Sequence, residues 1–217
     1  MKGTIKEWLV KGIIIGTSAG LIGCSGLGSN NHPPLPSSTL KEPVTTDPAK
    51  YNYLVGPGDE LNIFVWGNPE VSETVTVRPD GKVTTPLVED VTVSGLTPTQ
   101  VARKIEEKLS VYIKEPIVTV ITDGFSGPYS EQVRIIGEAS EPQALPYQED
   151  MSLLDVLIAV GGLTEFADGN NATLIRIVDG VQQPYSVRLD DLITDGDISA
   201  NADILPGDIL IIPEAWF

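Results

Sequence analysis

Apolar and polar positions change period several times along this chain, and each change marks an element. Leu61-Asn62-Ile63-Phe64-Val65-Trp66 is rich in β-formers and follows Gly56-Pro57-Gly58-Asp59, where Pro fixes one φ and Gly accepts a positive one. That order predicts a turn feeding a strand. From Glu73 to Arg78, Val75 and Val77 alternate with Thr74 and Thr76, and Pro79-Asp80-Gly81 then predicts a hairpin returning through Lys82-Val83-Thr84-Thr85. Beyond Val91 to Val93 the period lengthens. Thr97-Pro98-Thr99-Gln100 offers an N-cap, a proline at the first helical position and a Gln three residues after the cap. Val101, Ile105 and Leu109 recur every four residues, so a helix should bury one stripe and expose Arg103, Lys104, Glu106, Glu107 and Lys108 as a solvated face. Glu115-Pro116 opens Ile117-Val118-Thr119-Val120-Ile121, a near-continuous apolar run suited to the centre of a sheet.

Gly124 to Ser130, with Pro128, reads as a boundary. Val133-Arg134-Ile135-Ile136-Gly137 begins a second module, with a turn at Ser140-Glu141-Pro142 and a return arm from Gln143 to Pro146. Ser152 caps a helix over Leu153 to Val160, which Gly161-Gly162 ends where a left-handed residue is wanted. Thr173 to Val178 and Tyr185 to Leu189 predict a hairpin around Asp179-Gly180. Finally Leu205-Pro206-Gly207-Asp208 leads into Ile209-Leu210-Ile211-Ile212, echoing Pro57-Gly58-Asp59 and its strand. Turns before strands recur by chance too often for that echo to establish a duplication. The expected fold class is α+β: two small modules, each a mixed sheet with a packed helix.

The N-terminus follows another pattern. Lys2, Lys6 and Lys11 precede an apolar run from Gly12 to Ile22, which at about eleven residues is short for a bilayer-spanning helix but suits the core of a secretory signal. Leu21-Ile22-Gly23-Cys24 closes it and resembles the lipobox of bacterial lipoproteins. That resemblance implies cleavage between Gly23 and Cys24 and acylation of the Cys24 thiol, and Ser25 in place of an aspartate implies delivery to the outer membrane. An ordinary signal peptide with an incidental cysteine is the alternative. Cys24 is the only cysteine, so it has no intrachain disulfide partner. Ser25 to about Lys50 carries Gly, Asn, Ser and Pro without an apolar period and reads as a tether, which fully stretched would reach ~80 Å at roughly 3.3 Å per residue. The sole histidine, His32, falls in it. The expected organisation is thus residues 1–23 signal peptide, 24–50 tether, 51–124 first module, 131–213 second module and 214–217 tail.

With 14 basic against 30 acidic residues, the net charge is −16, and removal of residues 1–23 takes away three lysines and one glutamate. Such a surface repels nucleic acid and anionic headgroups, so no nucleic-acid partner is expected. No apolar run after Cys24 approaches the ~20 residues of a membrane helix, leaving attachment to acyl chains, of which two or three hold stably. Adjacent acids at Asp190-Asp191, Glu106-Glu107 and Glu149-Asp150 are the raw material of a glycosidase pair, but such neighbours are expected in so acidic a chain. Asp195, Asp197, Asn201 and Asp203 crowd oxygen ligands together without the sixth-position glycine and terminal glutamate of an EF-hand. An acylated Cys24 is no nucleophile, and a lone histidine in a tether excludes the usual triads and zinc sites. The expectation is no catalytic residue, no metal site, no cofactor and no enzyme activity.

Tyr53-Leu54-Val55-Gly56-Pro57-Gly58-Asp59-Glu60-Leu61, the Arg78-Pro79-Asp80-Gly81 tip and Gly95-Leu96-Thr97 before the helix resemble the polysaccharide export domain of Wza-type outer-membrane export proteins. Val133 to Gly162, with Ile135-Ile136-Gly137-Glu138, Pro142 and a helix ending in Gly161-Gly162-Leu163, resembles the β-grasp module called SLBB that follows it in that family. The resemblance implies a homo-oligomeric ring in the periplasm, lipid-anchored to the outer membrane and enclosing a passage for capsular or exopolysaccharide. It also implies an inner-membrane polysaccharide co-polymerase as partner. Wza-type proteins continue into further β-grasp repeats and a C-terminal amphipathic membrane helix, whereas this sequence stops at Phe217. A separate outer-membrane β-barrel partner is therefore expected to supply the pore. The passage-lining residues are not legible. The alternative function is a ligand-binding or adaptor lipoprotein of the cell envelope without a conduit, for which a monomer gripping sugar oligomers tightly would be the sign.

Overall fold

The computed structural model describes residues 42–47 and 50–216. Strand β1 (Glu60–Val65) buries Leu61, Ile63 and Val65 on one face and turns Glu60, Asn62 and Phe64 to solvent, the alternation a half-buried strand requires. A short 3-10 turn at Pro69–Val71 returns the chain as β2 (Glu73–Thr76), antiparallel to β1. β3 (Lys82–Thr85) and β4 (Val88–Thr92) form a separate two-stranded sheet, α1 (Pro98–Leu109) follows, and β5 (Val118–Asp123) lies antiparallel to β1 on its other side. The capping box is made: the Gln100 N–H donates to Thr97 Oγ1 at 3.3 Å and the Thr97 N–H to Gln100 Oε1 at 2.9 Å. Val101, Ala102, Ile105 and Leu109 are buried against the inner face of the sheet, with Val55, Val71, Val77, Val83, Val88, Val91, Val93 and Val118.

Three expectations for this half are corrected. The Pro79-Asp80-Gly81 turn closes, with the Arg78 N–H donating to Lys82 O and the Gly81 N–H to Arg78 O, but its arms do not form a ladder. Val77 exchanges bonds with Gly58 and Asp59 beside β1, while Gly81 O accepts the Val93 and Ser94 N–H groups, so the two arms are drawn to different partners. Second, β5 is an edge and β1 is the centre, the sheet order being β2-β1-β5. Third, α1 does not leave all its charges in solvent. Lys104 and Glu106 are half-buried: Glu106 Oε1 accepts the Val118 N–H at 2.8 Å, Arg103 donates to Val118 O at 3.1 Å, and Lys104 to Thr92 O at 2.9 Å. These side chains satisfy outward backbone groups of β4 and β5, which a bare sheet edge leaves open.

The second half is built around β6 (Gln132–Gly137), β7 (Ala144–Pro146), α2 (Leu153–Ala159), β8 (Ala172–Val178), β9 (Val181–Val187), α3 (Leu189–Ile193) and β10 (Ile209–Ile212). The sheet order is β7-β6-β10-β8-β9, with β6 and β10 parallel and the other pairings antiparallel. Leu153, Val156 and Leu157 of α2 pack with Val133, Ile135, Leu174, Leu189, Leu192, Ile204, Leu210 and Ile212 in a second core. Gly137 sits at φ +93° where β6 and β10 converge, and a Cβ there would lie 1.9 Å from Ile212 O. Asp179 (φ 52°) and Gly180 (φ 72°) make the two-residue turn of the β8–β9 hairpin, in the left-handed geometry such turns demand. The second arm ends at Val187 rather than Leu189, because Leu189 begins the short α3 that the strand reading missed. The whole is α+β, and no described helix is long and apolar enough to cross a membrane.

Candidate functional site

The Pro-Gly-Asp echo is a shared piece of geometry. Asp59 and Asp208 are both fully buried. In each turn the Asp N–H donates to the carbonyl three residues back, at 3.2 Å, and the carboxylate accepts that residue's N–H, from Gly56 to Asp59 and from Leu205 to Asp208, at 2.8 Å. The intervening glycines, Gly58 and Gly207, both have positive φ. The remaining carboxylate capacity is used differently. Asp208 takes a two-pronged pair from Arg176, with Nε at 2.9 Å and Nη2 at 2.7 Å, and this holds the Arg176 guanidinium pKa above its ordinary value. Asp59 accepts the Ser126 and Gly127 N–H groups at 2.8 and 3.1 Å and the Tyr53 hydroxyl. Burial, reinforced by the Asp59 hydrogen bond, raises the Tyr53 pKa far above the ordinary phenol.

Asp59 thereby fastens the segment that joins the two sheets. Around the same join the Tyr51 ring stands edge-on to Tyr147 at 4.9 Å, and burial pushes the Tyr51 phenol up to about 12. Residues 42–47 form a strap over the second half. The Val44 N–H donates to Glu131 Oε1 at 2.8 Å, the Asp179 N–H donates to Glu42, and Pro43 lies against Gly207. Glu131 is buried with its Oε2 unpartnered among the described residues, and burial raises its pKa above the usual carboxylate value.

The outer face of the first sheet is the most unusual surface. The register sets Asn62 beside Thr74 and Ile121, and Phe64 beside Thr119. Trp66 follows, its N–H donating to Ile117 O at 2.9 Å. Phe64 and Trp66 are 44% and 69% exposed and stand edge to face at 6.3 Å, with Ile117 and Ile121 exposed beside them. Charge enters this face only at one end, where Glu60 pairs with Asp123. In a chain with 30 acidic residues, a neutral face of aromatic, aliphatic, hydroxyl and amide groups is unusual. Period-two reading of Leu61 to Trp66 could have found it, since burying Leu61, Ile63 and Val65 turns Phe64 and Trp66 outward.

Cys24, Gly23 and His32 lie outside the described residues. Of the adjacent acids, the carboxylates of Asp190, Asp191 and Glu106 are engaged by neighbouring groups. Asp190 and Asp191 bind Asn170, with Asp191 also paired to Arg188, and Glu106 is taken up by Val118 and Arg103. In the 195–203 loop Asp197 binds Ser199 and Arg188, Asn201 Oδ1 accepts the Leu154 N–H, and the Asp203 backbone forms a β-bridge with that of Ser152. No group of three or more His, Cys, Asp or Glu among the described residues is arranged to hold a metal. What the geometry offers is an aromatic sheet face that carries charge only at its Glu60–Asp123 end.

Comparison with known proteins agrees with this layout. Residues 47–123 match the family model described as polysaccharide biosynthesis/export protein, and residues 131–212 match that of the SLBB domain. The EPS I polysaccharide export outer membrane protein EpsA of Ralstonia nicotianae (strain ATCC BAA-1114 / GMI1000) is 25% identical over 186 residues, covering 75% of this chain. The match spans 47% of that relative, about half its length. With the two family matches in sequence, one on each half of the fold, the chain belongs to the polysaccharide export family, an export domain followed by an SLBB domain.

Proposed function

We propose that this protein is an outer-membrane lipoprotein that faces the periplasm and assembles into a homo-oligomeric ring conducting capsular or exopolysaccharide outward. In this reading Cys24, exposed by cleavage after Gly23, carries the acyl anchor, an inner-membrane co-polymerase feeds the ring, and a separate outer-membrane β-barrel receives the polymer. Family membership and the export role in the relative's name support the transport class. The observation that carries the conduit is the neutral outer face of the first sheet. Aromatic rings at Phe64 and Trp66 accept the C–H faces of sugar rings, and Asn62, Thr74 and Thr119 offer hydrogen bonds to hydroxyls. Away from its Glu60–Asp123 end the face carries no charge to hold a polymer tightly. It favours weak, repeated contact, as transit requires and storage does not.

The test is complementation of a strain lacking the gene, with surface polysaccharide as readout. Wild type should restore export, Cys24→Ser should not, and the Phe64→Ala/Trp66→Ala double variant should restore it only weakly at normal protein level. Full export by the double variant would refute the assignment of this face. Full export by Cys24→Ser would refute the lipid anchor.

A further inference from the structure

The cations of this chain are unevenly spent. In the second half, Arg134 is bound to Tyr129 O, Arg176 to Asp208, and Arg188 to Asp191 and Asp197. In the first half, Lys108 and Lys114 make no ion pair with any described residue. They flank the turn after α1, whose tip is Val111 and Tyr112, 78% and 63% exposed. The turn is held in shape: the Tyr112 and Ile113 N–H groups both donate to Leu109 O at 2.8 Å, and Ile113 packs on the first core. This knob is a turn with an apolar tip, flanked by the exposed Lys108 and Lys114, each with an exposed glutamate, Glu107 and Glu115, next to it in sequence.

Its complement lies on the second half. A cleft of about 280 Å3 beside α2 is lined by Glu149, Asp150 and Asp155, with Met151 and Ala159 as its apolar wall. None of these three carboxylates is in an ion pair with a described residue. Ile158, on the same helix, is 71% exposed. The one cation of the described second half that is outside an ion pair is Arg134, which donates to Tyr129 O.

We propose that the Lys108–Lys114 knob of one copy docks into the Glu149–Asp150 cleft of the next, forming the contact between neighbours in the ring. The inference rests on the ring reading above and names the surfaces that build it. Two different patches make a heterologous contact, which propagates head to tail and closes when the rotation permits. The apolar tip supplies area and the lysines supply register and steering, so the contact should weaken with salt.

The test uses the acylated full chain in detergent, followed by sedimentation. Lys108→Glu/Lys114→Glu should keep the wild-type melting curve and Glu149→Lys/Asp150→Lys should stay folded with a small loss, since Asp150 sits at φ 62° where Asp is better suited than Lys, yet each should raise the assembly's dissociation constant by roughly tenfold or more. Combining all four reversals in one chain should restore assembly, and mixing the two reversed proteins should give complexes that neither forms alone. Reversals that leave assembly unchanged, or that abolish it without rescue, overturn the proposal. So does intact assembly with lost export, which would assign these surfaces to another partner. A wild-type protein that stays monomeric at all concentrations removes the ring reading itself and is thereby distinguished from failure of these surfaces.

Discussion

Asp59 shows how much one residue carries in this fold. Its carboxylate gathers Gly56, Ser126, Gly127 and Tyr53, and it has no exposed surface. Asp59→Ala would strand buried N–H donors and should cost about 3 kcal/mol by denaturant titration; a loss below about 1 kcal/mol would show that the join is held by other means. The sequence announced the turn, because Pro and Gly act locally, but not this role, because Ser126 is 67 positions away. Glu131 was equally invisible as the strap's anchor. The folded state holds its proton more tightly than the unfolded chain does, so its contribution is full below the unfolded carboxyl pKa and is lost as pH rises through the raised folded value. Wild type should therefore lose stability relative to Glu131→Gln as pH rises from the unfolded carboxyl pKa through the raised folded one. Parallel pH profiles for the two proteins would contradict the burial argument.

At the scale of elements, the start and buried stripe of α1 were readable because cap, proline and period agree, while the contacts of Arg103, Lys104 and Glu106 with β4 and β5 were not. Thr97→Ala should cost about 1 kcal/mol by thermal or denaturant melting, with Thr97→Ser recovering most of it. β5 was misplaced for an informative reason. Apolar continuity signals a strand wanted dry on both faces, and it does not say whether the chain itself or something outside dries the second face. Ile117 and Ile121 are apolar on the face the monomer leaves open. The hairpin expected through Lys82 failed because turn chemistry fixes a reversal but not which strands it joins. Gly137 illustrates the opposite case, in which backbone contact dictates the residue. With φ at +93° and Ile212 O in the space a Cβ needs, Gly137→Ala should destabilise by more than about 2 kcal/mol, read from the shift in denaturant midpoint.

For the whole molecule, order was the most legible property: turn, strand, helix, strand, then a β-grasp pattern. Composition added the acidic surface. The neutral sheet face and the knob and cleft needed coordinates, since each assembles residues whose local patterns mean only strand, turn or helix. The proposals for the three surfaces make one account, in which the aromatic face would meet sugar and knob and cleft would join neighbours. Electron microscopy of the purified, acylated full-length protein in detergent tests that account most directly. Closed rings of a fixed subunit number, with the Phe64–Trp66 face toward the lumen, are expected; single particles without rings, or rings with that face outward, would contradict it.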